Sequence, residues 1–309
     1  MPHVQMKLPG GKGDALISNN PDTDTAVVFI HGFKGHFQKT WQQFQLLMDD
    51  SQMFPEWDTC DAFFFSYDAE SNHPDASAQE LGDFIQSIYP NPPDSLFEVT
   101  TFEDWIGHLA GEKSELTAIH AGWLVWRKTP CVYRRLQIVG HSWGGAVARR
   151  YVTTRVAAFD SMVPGSEVAP KSIDAGVFLF APAHFGFQPS GNRGMLYHTA
   201  EQILGRLLHA TMSRYRAFKH MSPGSPFLTQ LRSQTEQLAG RHADLDCLRP
   251  YLFWGKLEDV VEPGRFDCDL ADRERYEDNR GHIDICKPDH DYLVPMTVVR
   301  RRAVHVGSK

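Results

Sequence analysis

Apolar residues in this chain gather into short runs, separated by longer stretches in which they recur every three or four positions. Thr25–Ile30, Asp61–Tyr67, Arg135–Val139, Gly176–Ala181 and Tyr251–Trp254 are runs of strand length. Near-continuous apolar character is the mark of a parallel strand covered on both faces. Residues 39–49 show helical spacing, with Trp41, Phe44, Leu47 and Met48 on one side, and residues 77–88 and 145–152 also read as helices. Beyond Pro90, Pro92 and Pro93 the pattern turns helical again over 102–128. Residues 182–245 read as mostly helical, with breaks at Pro189-Ser190-Gly191 and at 222–226. Arg265–Leu270 is a further strand candidate, 291–305 a closing helix, and 10–23 a set of loops and turns before the core begins. Strands alternating with helices imply βαβ units. The expected architecture is therefore a mainly parallel sheet with helices on both faces. One domain is expected over 1–309, with 182–245 a helical cap inserted after a core strand.

The chemistry concentrates at Gly140-His141-Ser142-Trp143-Gly144, which lies between a predicted strand and a predicted helix. A G-x-S-x-G sequence at that junction places a serine on a sharp, strained turn with its hydroxyl exposed. The flanking glycines are needed where a Cβ would strike the neighbouring strand or helix. A serine hydroxyl is a weak nucleophile until a base takes its proton, so Ser142 calls for a histidine oriented by a carboxylate.

With this type of elbow the acid and then the histidine follow in chain order. Asp259, in the turn after Tyr251–Trp254, is the expected acid, with Glu258 beside it as competitor and Glu262 a weaker one. His282, in the loop before the last helix, is the expected base, and His290 the alternative. An oxyanion needs two N–H donors. The candidates are the backbone of Trp143, just after the serine, and of Phe33, in the loop leaving the first strand. Gly32 would let that loop approach closely. His31 is expected to brace the loop and to border the substrate, along with Phe185, Met195 and Leu196 of the cap.

Composition narrows the classes further. Hydrophobic residues make up 42% and charged residues 22%, ordinary for a globule with a core. A net charge of −7 without a basic stripe argues against nucleic acid as partner. Met1 to Lys12 lack the apolar run of a secretion signal, and no stretch has the length and apolarity of a membrane span. The five scattered cysteines contain no C-x-x-C pair, as expected of reduced thiols in the cytoplasm. The fifteen histidines form no metal-binding pair, so neither a metal nor a cofactor is expected.

Together these motifs resemble the α/β-hydrolase superfamily, over about residues 25 to 300. His31-Gly32-Phe33-Lys34-Gly35-His36 running into Lys39-Thr40-Trp41 resembles the opening of the serine-active-site-containing proteins, relatives of the GPI-inositol deacylases. Phe65–Ala69, Gly140–Gly145 and His282–Pro288 resemble that group's next strand, elbow and histidine loop. The resemblance implies an α/β-hydrolase fold and an ester-cleaving serine enzyme, often acting on lipids. The expected substrate is a small-molecule or lipid ester. An amidase or thioesterase with the same residues is one alternative, and a non-catalytic or partner-gated protein on the same scaffold another. Residues 89–130 are longer than the group's usual link.

Overall fold

The computed structural model describes residues 3–18, 20–48, 54–93, 132–162, 175–187 and 215–305. Its centre is an eight-stranded sheet. The strands are β1 (His3–Lys7), β2 (Gly13–Ser18), β3 (Thr25–Ile30), β4 (Cys60–Phe65), β5 (Arg135–His141), β6 (Ala175–Phe180), β7 (Tyr251–Gly255) and β8 (Glu274–Glu277). Their spatial order is β1-β2-β4-β3-β5-β6-β7-β8. β1 and β2 join antiparallel at one edge, and every pairing from β4 to β8 is parallel. The helices are α1 (Phe37–Met48), α2 (Pro74–Ile88), α3 (Trp143–Met162), α4 (Pro226–Arg241) and α5 (Val294–His305).

The strand period places helices on both faces. On β4, Phe64 stacks on Phe29, whose other neighbours are Trp41 and Phe44 of α1. Phe63 and Phe65, one position to either side, turn instead to Phe84 of α2. α2 then packs on α3, and α3 on α4. Thr153 and Thr235 share a buried hydroxyl hydrogen bond of 2.9 Å where α3 meets α4. Pro74 and Pro295 stand in the first turns of α2 and α5. A missing N–H costs nothing there, which is why Pro295 starts a helix rather than stopping one.

The sheet departs from the sequence expectation at β2, next to one edge, and at the opposite edge. Residues 10–23 contain β2, fully buried, and not only loops. Gly10 and Gly11 precede it, and its first residue, Gly13, has φ +127° where a Cβ would fall 1.8 Å from the Phe64 carbonyl oxygen. Turn signals therefore mask a strand that owes its place to pairing with β4. Residues 265–270 are not a strand, and the edge strand is β8 at Glu274–Glu277. The Asp269 carboxylate folds that stretch back by accepting the Phe266 N–H (2.8 Å) and an Arg149 N–H (2.5 Å). Among the described residues between β6 and β7, only 226–241 is α-helical, with 3-10 turns at Arg216–Met221 and Asp246–Leu248. The helix expected over 102–128 lies outside the described residues.

Candidate active site

Ser142 is the one residue between β5 and α3, and it holds φ +54°. For a non-glycine residue this left-handed backbone costs about 1–3 kcal/mol, retained where surrounding structure enforces it. The enforcement is visible here. The Ser142 N–H donates to the Phe180 carbonyl at 3.0 Å, and its own carbonyl accepts from Ala183 and Gly145, both at 3.0 Å. The glycines of the motif are contact points: a Cβ on Gly140 would lie 2.8 Å from the Gly145 Cα, and one on Gly144 2.4 Å from the His31 carbonyl oxygen. α3 can thus begin directly against the ends of β3 and β5.

His282 lies across the serine. Its Nε2 is 2.9 Å from Ser142 Oγ, and its Nδ1 is 2.9 and 3.1 Å from the two carboxylate oxygens of Glu258. The acid beside the histidine is therefore Glu258, and not Asp259 as the sequence suggested. In the turn after β7 the side chains alternate: Leu257 and Asp259 face solvent, whereas the Glu258 side chain is 2% exposed. Its Oε1 also accepts the N–H groups of Val260 (3.0 Å) and Val261 (3.1 Å), which fixes the carboxylate against the imidazole. Gly255 permits the crossing of the two loops, since a Cβ there would fall 2.0 Å from the Arg280 carbonyl oxygen. Glu262 and His290 are exposed.

The β3 loop reaches the serine through Gly32. A Cβ at Gly32 would lie 2.7 Å from Ser142 Cβ and 3.3 Å from its Oγ, so the peptide carrying the Phe33 N–H runs alongside the Ser142 side chain. Trp143 is the first residue of α3, where an N–H has no intrahelical acceptor. Both expected oxyanion donors therefore border the serine. Gly32→Ala is expected to lower kcat about 100-fold with little change in KM, because displacing a reacting group by about 1 Å costs that much. Steady-state kinetics on any substrate of the enzyme would measure this.

His31 proves to be a brace. It is 2% exposed, donates from Nδ1 to the Gly32 carbonyl (2.9 Å) and stacks on Tyr67 (4.6 Å), whose hydroxyl donates to the His31 carbonyl (2.8 Å). So buried a ring has little surface for the substrate-binding role expected of it. Phe185 packs on His184 and Phe266, and Met195 and Leu196 lie outside the described residues. The aromatic group attached to the oxyanion loop is instead Phe33 with Tyr215 (5.6 Å) and Phe218 (6.3 Å), backed by Phe187. Tyr215 and Phe218 belong to no motif and no helical stripe, so the sequence carried no signal for them.

Burial keeps three histidines neutral. It lowers His31 to about 4, His141 to about 3, and His184 well below the ordinary imidazole value. In the unfolded chain these groups titrate near 6.5. Below that pH the unfolded state binds more protons than the folded one, so stability is complete above about pH 7. It is lost as the pH falls toward 4, at up to about 4 kcal/mol per pH unit for the three together. Urea midpoints at pH 7 and pH 5 should show the lower value at pH 5. Equal midpoints would contradict the burial of these rings as neutral imidazoles.

Among the described residues no cluster of three or more His, Cys, Asp or Glu could hold a metal, and no helix is long and apolar enough to cross a membrane.

A parallel sheet with a strained serine at a strand–helix turn, followed in the chain by an acid and a histidine, defines a hydrolase of the nucleophile-elbow type. The chain belongs to the alpha/beta hydrolase family, whose family model matches residues 27–305. No curated protein matches it. Similar solved structures include a phospholipase, PlaB, from Legionella pneumophila (16% identity, 75% of this chain and 38% of that one, TM-score 0.39). Others are a monoacylglycerol lipase from Paleococcus ferrophilus (14%, 97% and 98%, 0.43) and naproxen esterase from Bacillus subtilis (12%, 97% and 90%, 0.45). This chain thus spans well under half of the Legionella phospholipase.

Proposed function

We propose that this protein hydrolyses carboxylic esters through an acyl-enzyme formed on Ser142. The observation that carries the reading is the continuous Ser142–His282–Glu258 contact at 2.9 Å on either side of the imidazole. Glu258 accepts the hydrogen bond from Nδ1–H and so leaves Nε2 free to take the proton of Ser142 Oγ. The serine then attacks the ester carbonyl, and the N–H groups of Phe33 and Trp143 receive the charge that develops on its oxygen. His282 passes its proton to the leaving alcohol. It next draws a proton from water as the water oxygen attacks the acyl carbonyl, then gives that proton to Ser142 Oγ as the acyl–Oγ bond breaks and the acid leaves. Glu258 holds the imidazole in the required tautomer and offsets its positive charge while protonated.

An apolar acyl or alcohol group suits the Phe33, Tyr215 and Phe218 rings beside the loop. The resemblance of residues 31–41 and 282–288 to serine-active-site-containing proteins supports an ester in the lipid class. The deciding experiment is hydrolysis of p-nitrophenyl esters from acetate to palmitate, with fluorophosphonate labelling of Ser142 alongside. Turnover with a chain-length optimum supports the reading. Labelling without ester turnover points to an amide or thioester. Absence of both overturns it in favour of a non-catalytic scaffold.

A further inference from the structure

His141 forms part of the elbow sequence, yet the reaction described above assigns it nothing. It ends β5, is covalently joined to Ser142, and is 8% exposed. Its ring turns away from the serine hydroxyl toward the histidine loop. Nε2 lies 2.8 Å from the backbone carbonyl oxygen of His282, and the two imidazole centroids are 5.0 Å apart. A carbonyl can only accept, so His141 carries its proton on Nε2. The edge of Trp41 supports the ring, with centroids 6.4 Å apart.

We propose that His141 is a positioning residue that locks the His282 backbone to the serine turn, and so fixes the Nε2–Oγ distance on which proton transfer depends. The proposal rests on the ester-hydrolase reading. The contacts close a small ring: Ser142 is bonded to His141, His141 donates to the His282 carbonyl, and the His282 side chain returns to Ser142 Oγ. Nucleophile and base are thereby tied at two points, one through backbone and one through side chains. The loop bearing His282 follows Ser142 by 140 positions in the chain. Glu258 on His282 Nδ1 (2.9 Å) and the Leu257 N–H on the Arg280 carbonyl (3.0 Å) tie it to the turn after β7, and it makes further contacts of its own. These are the Ile285 N–H to Gly281 carbonyl bond (3.1 Å), Tyr292 on the Ile285 carbonyl (3.1 Å), and Arg280 with Asp289 (3.1 Å). Such contacts hold the loop's shape and its place beside β7, whereas the His141 bond ties its backbone directly to the serine turn. Burial, and next the proximity of His282, push the His141 pKa down to about 3. The ring therefore stays a neutral donor and adds no charge against the imidazolium formed in each turnover.

Three substitutions separate positioning from packing. His141→Phe keeps the aromatic volume but removes the donor. His141→Gln puts an amide N–H near the place of Nε2, and His141→Asn puts one too short to reach. Kinetics on the best p-nitrophenyl ester, fluorophosphonate labelling rate and thermal midpoint should be read for each. The Phe and Asn variants are expected to lose about 10–100-fold in kcat and in labelling rate, with KM within about twofold. The Gln variant is expected to recover most of the loss. Wild-type kcat in the Phe variant would overturn the proposal, as would equal losses in Phe and Gln that follow the thermal midpoint. Should the Phe variant fail to fold, the Gln–Asn difference alone decides, and equal rates in that pair overturn the proposal. If wild type turns over no ester but labels, the labelling rates carry the same comparison. Neither turnover nor labelling in wild type would overturn the hydrolase reading and this assignment with it.

Discussion

Ser142→Ala is expected to lower kcat by on the order of 10⁴–10⁶-fold, the range in which removal of a serine nucleophile leaves only binding and oxyanion stabilisation. Folding should be spared. The side chain gives up one hydroxyl hydrogen bond to His282, while the backbone bonds that hold the left-handed turn, to Phe180, Ala183 and Gly145, do not involve it. The pair to measure is ester turnover and circular-dichroism melting, in wild type and variant side by side. A variant that keeps its melting temperature and loses turnover and fluorophosphonate labelling establishes Ser142 as the attacking group. Residual activity within tenfold of wild type would exclude it.

The second large effect distinguishes two adjacent acids. Glu258→Gln is expected to reduce kcat by on the order of 10⁴-fold, whereas Asp259→Asn should stay within about twofold. The asymmetry follows from the hydrogen bonds of the turn. The N–H groups of Val260 and Val261 point at Glu258 Oε1, so a glutamine would present its carbonyl oxygen to them. Its NH₂ group would then face His282 Nδ1 and act as a donor. That forces the imidazole proton onto Nε2, where it meets Ser142 Oγ and cannot accept from it. The structure keeps its shape while the tautomer is wrong. Asp259 faces solvent and loses little by becoming neutral. Rate measurements of the two variants at pH 7–8 give the answer directly. A large loss in Asp259→Asn with a normal Glu258→Gln would return the acid role to Asp259.

What could be read from the sequence is whatever local pattern or covalent adjacency fixes. Five largely apolar runs of strand length implied the parallel core because a strand buried on both faces carries mostly apolar residues. Ser142, with Gly140 and Gly144 around it, was legible because the elbow is one covalent stretch whose sterics are set within five residues. Phe33 and Trp143 followed from their adjacency to Gly32 and to the serine. β2 and β8 were harder: β2 is preceded by turn residues, β8 is a four-residue edge strand, and the place of each comes from partners distant in the chain, Phe64 on β4 and the end of β7.

The remaining site features are decided by direction, which composition does not encode. Glu258 and Asp259 are neighbours of the same charge. Only the turn after β7, bonded to Arg280 and Gly255, determines which of the two points inward. His31 looks available to a substrate in the sequence, but Tyr67, just beyond the end of β4, stacks on it. The aromatic group of Phe33, Tyr215 and Phe218, and the His141 bond to the His282 carbonyl, join residues more than a hundred positions apart. The sequence determines which groups exist and how the chain turns locally. The fold alone sets which of them face one another, because a side chain's direction and its partners depend on packing between segments that the linear order keeps apart.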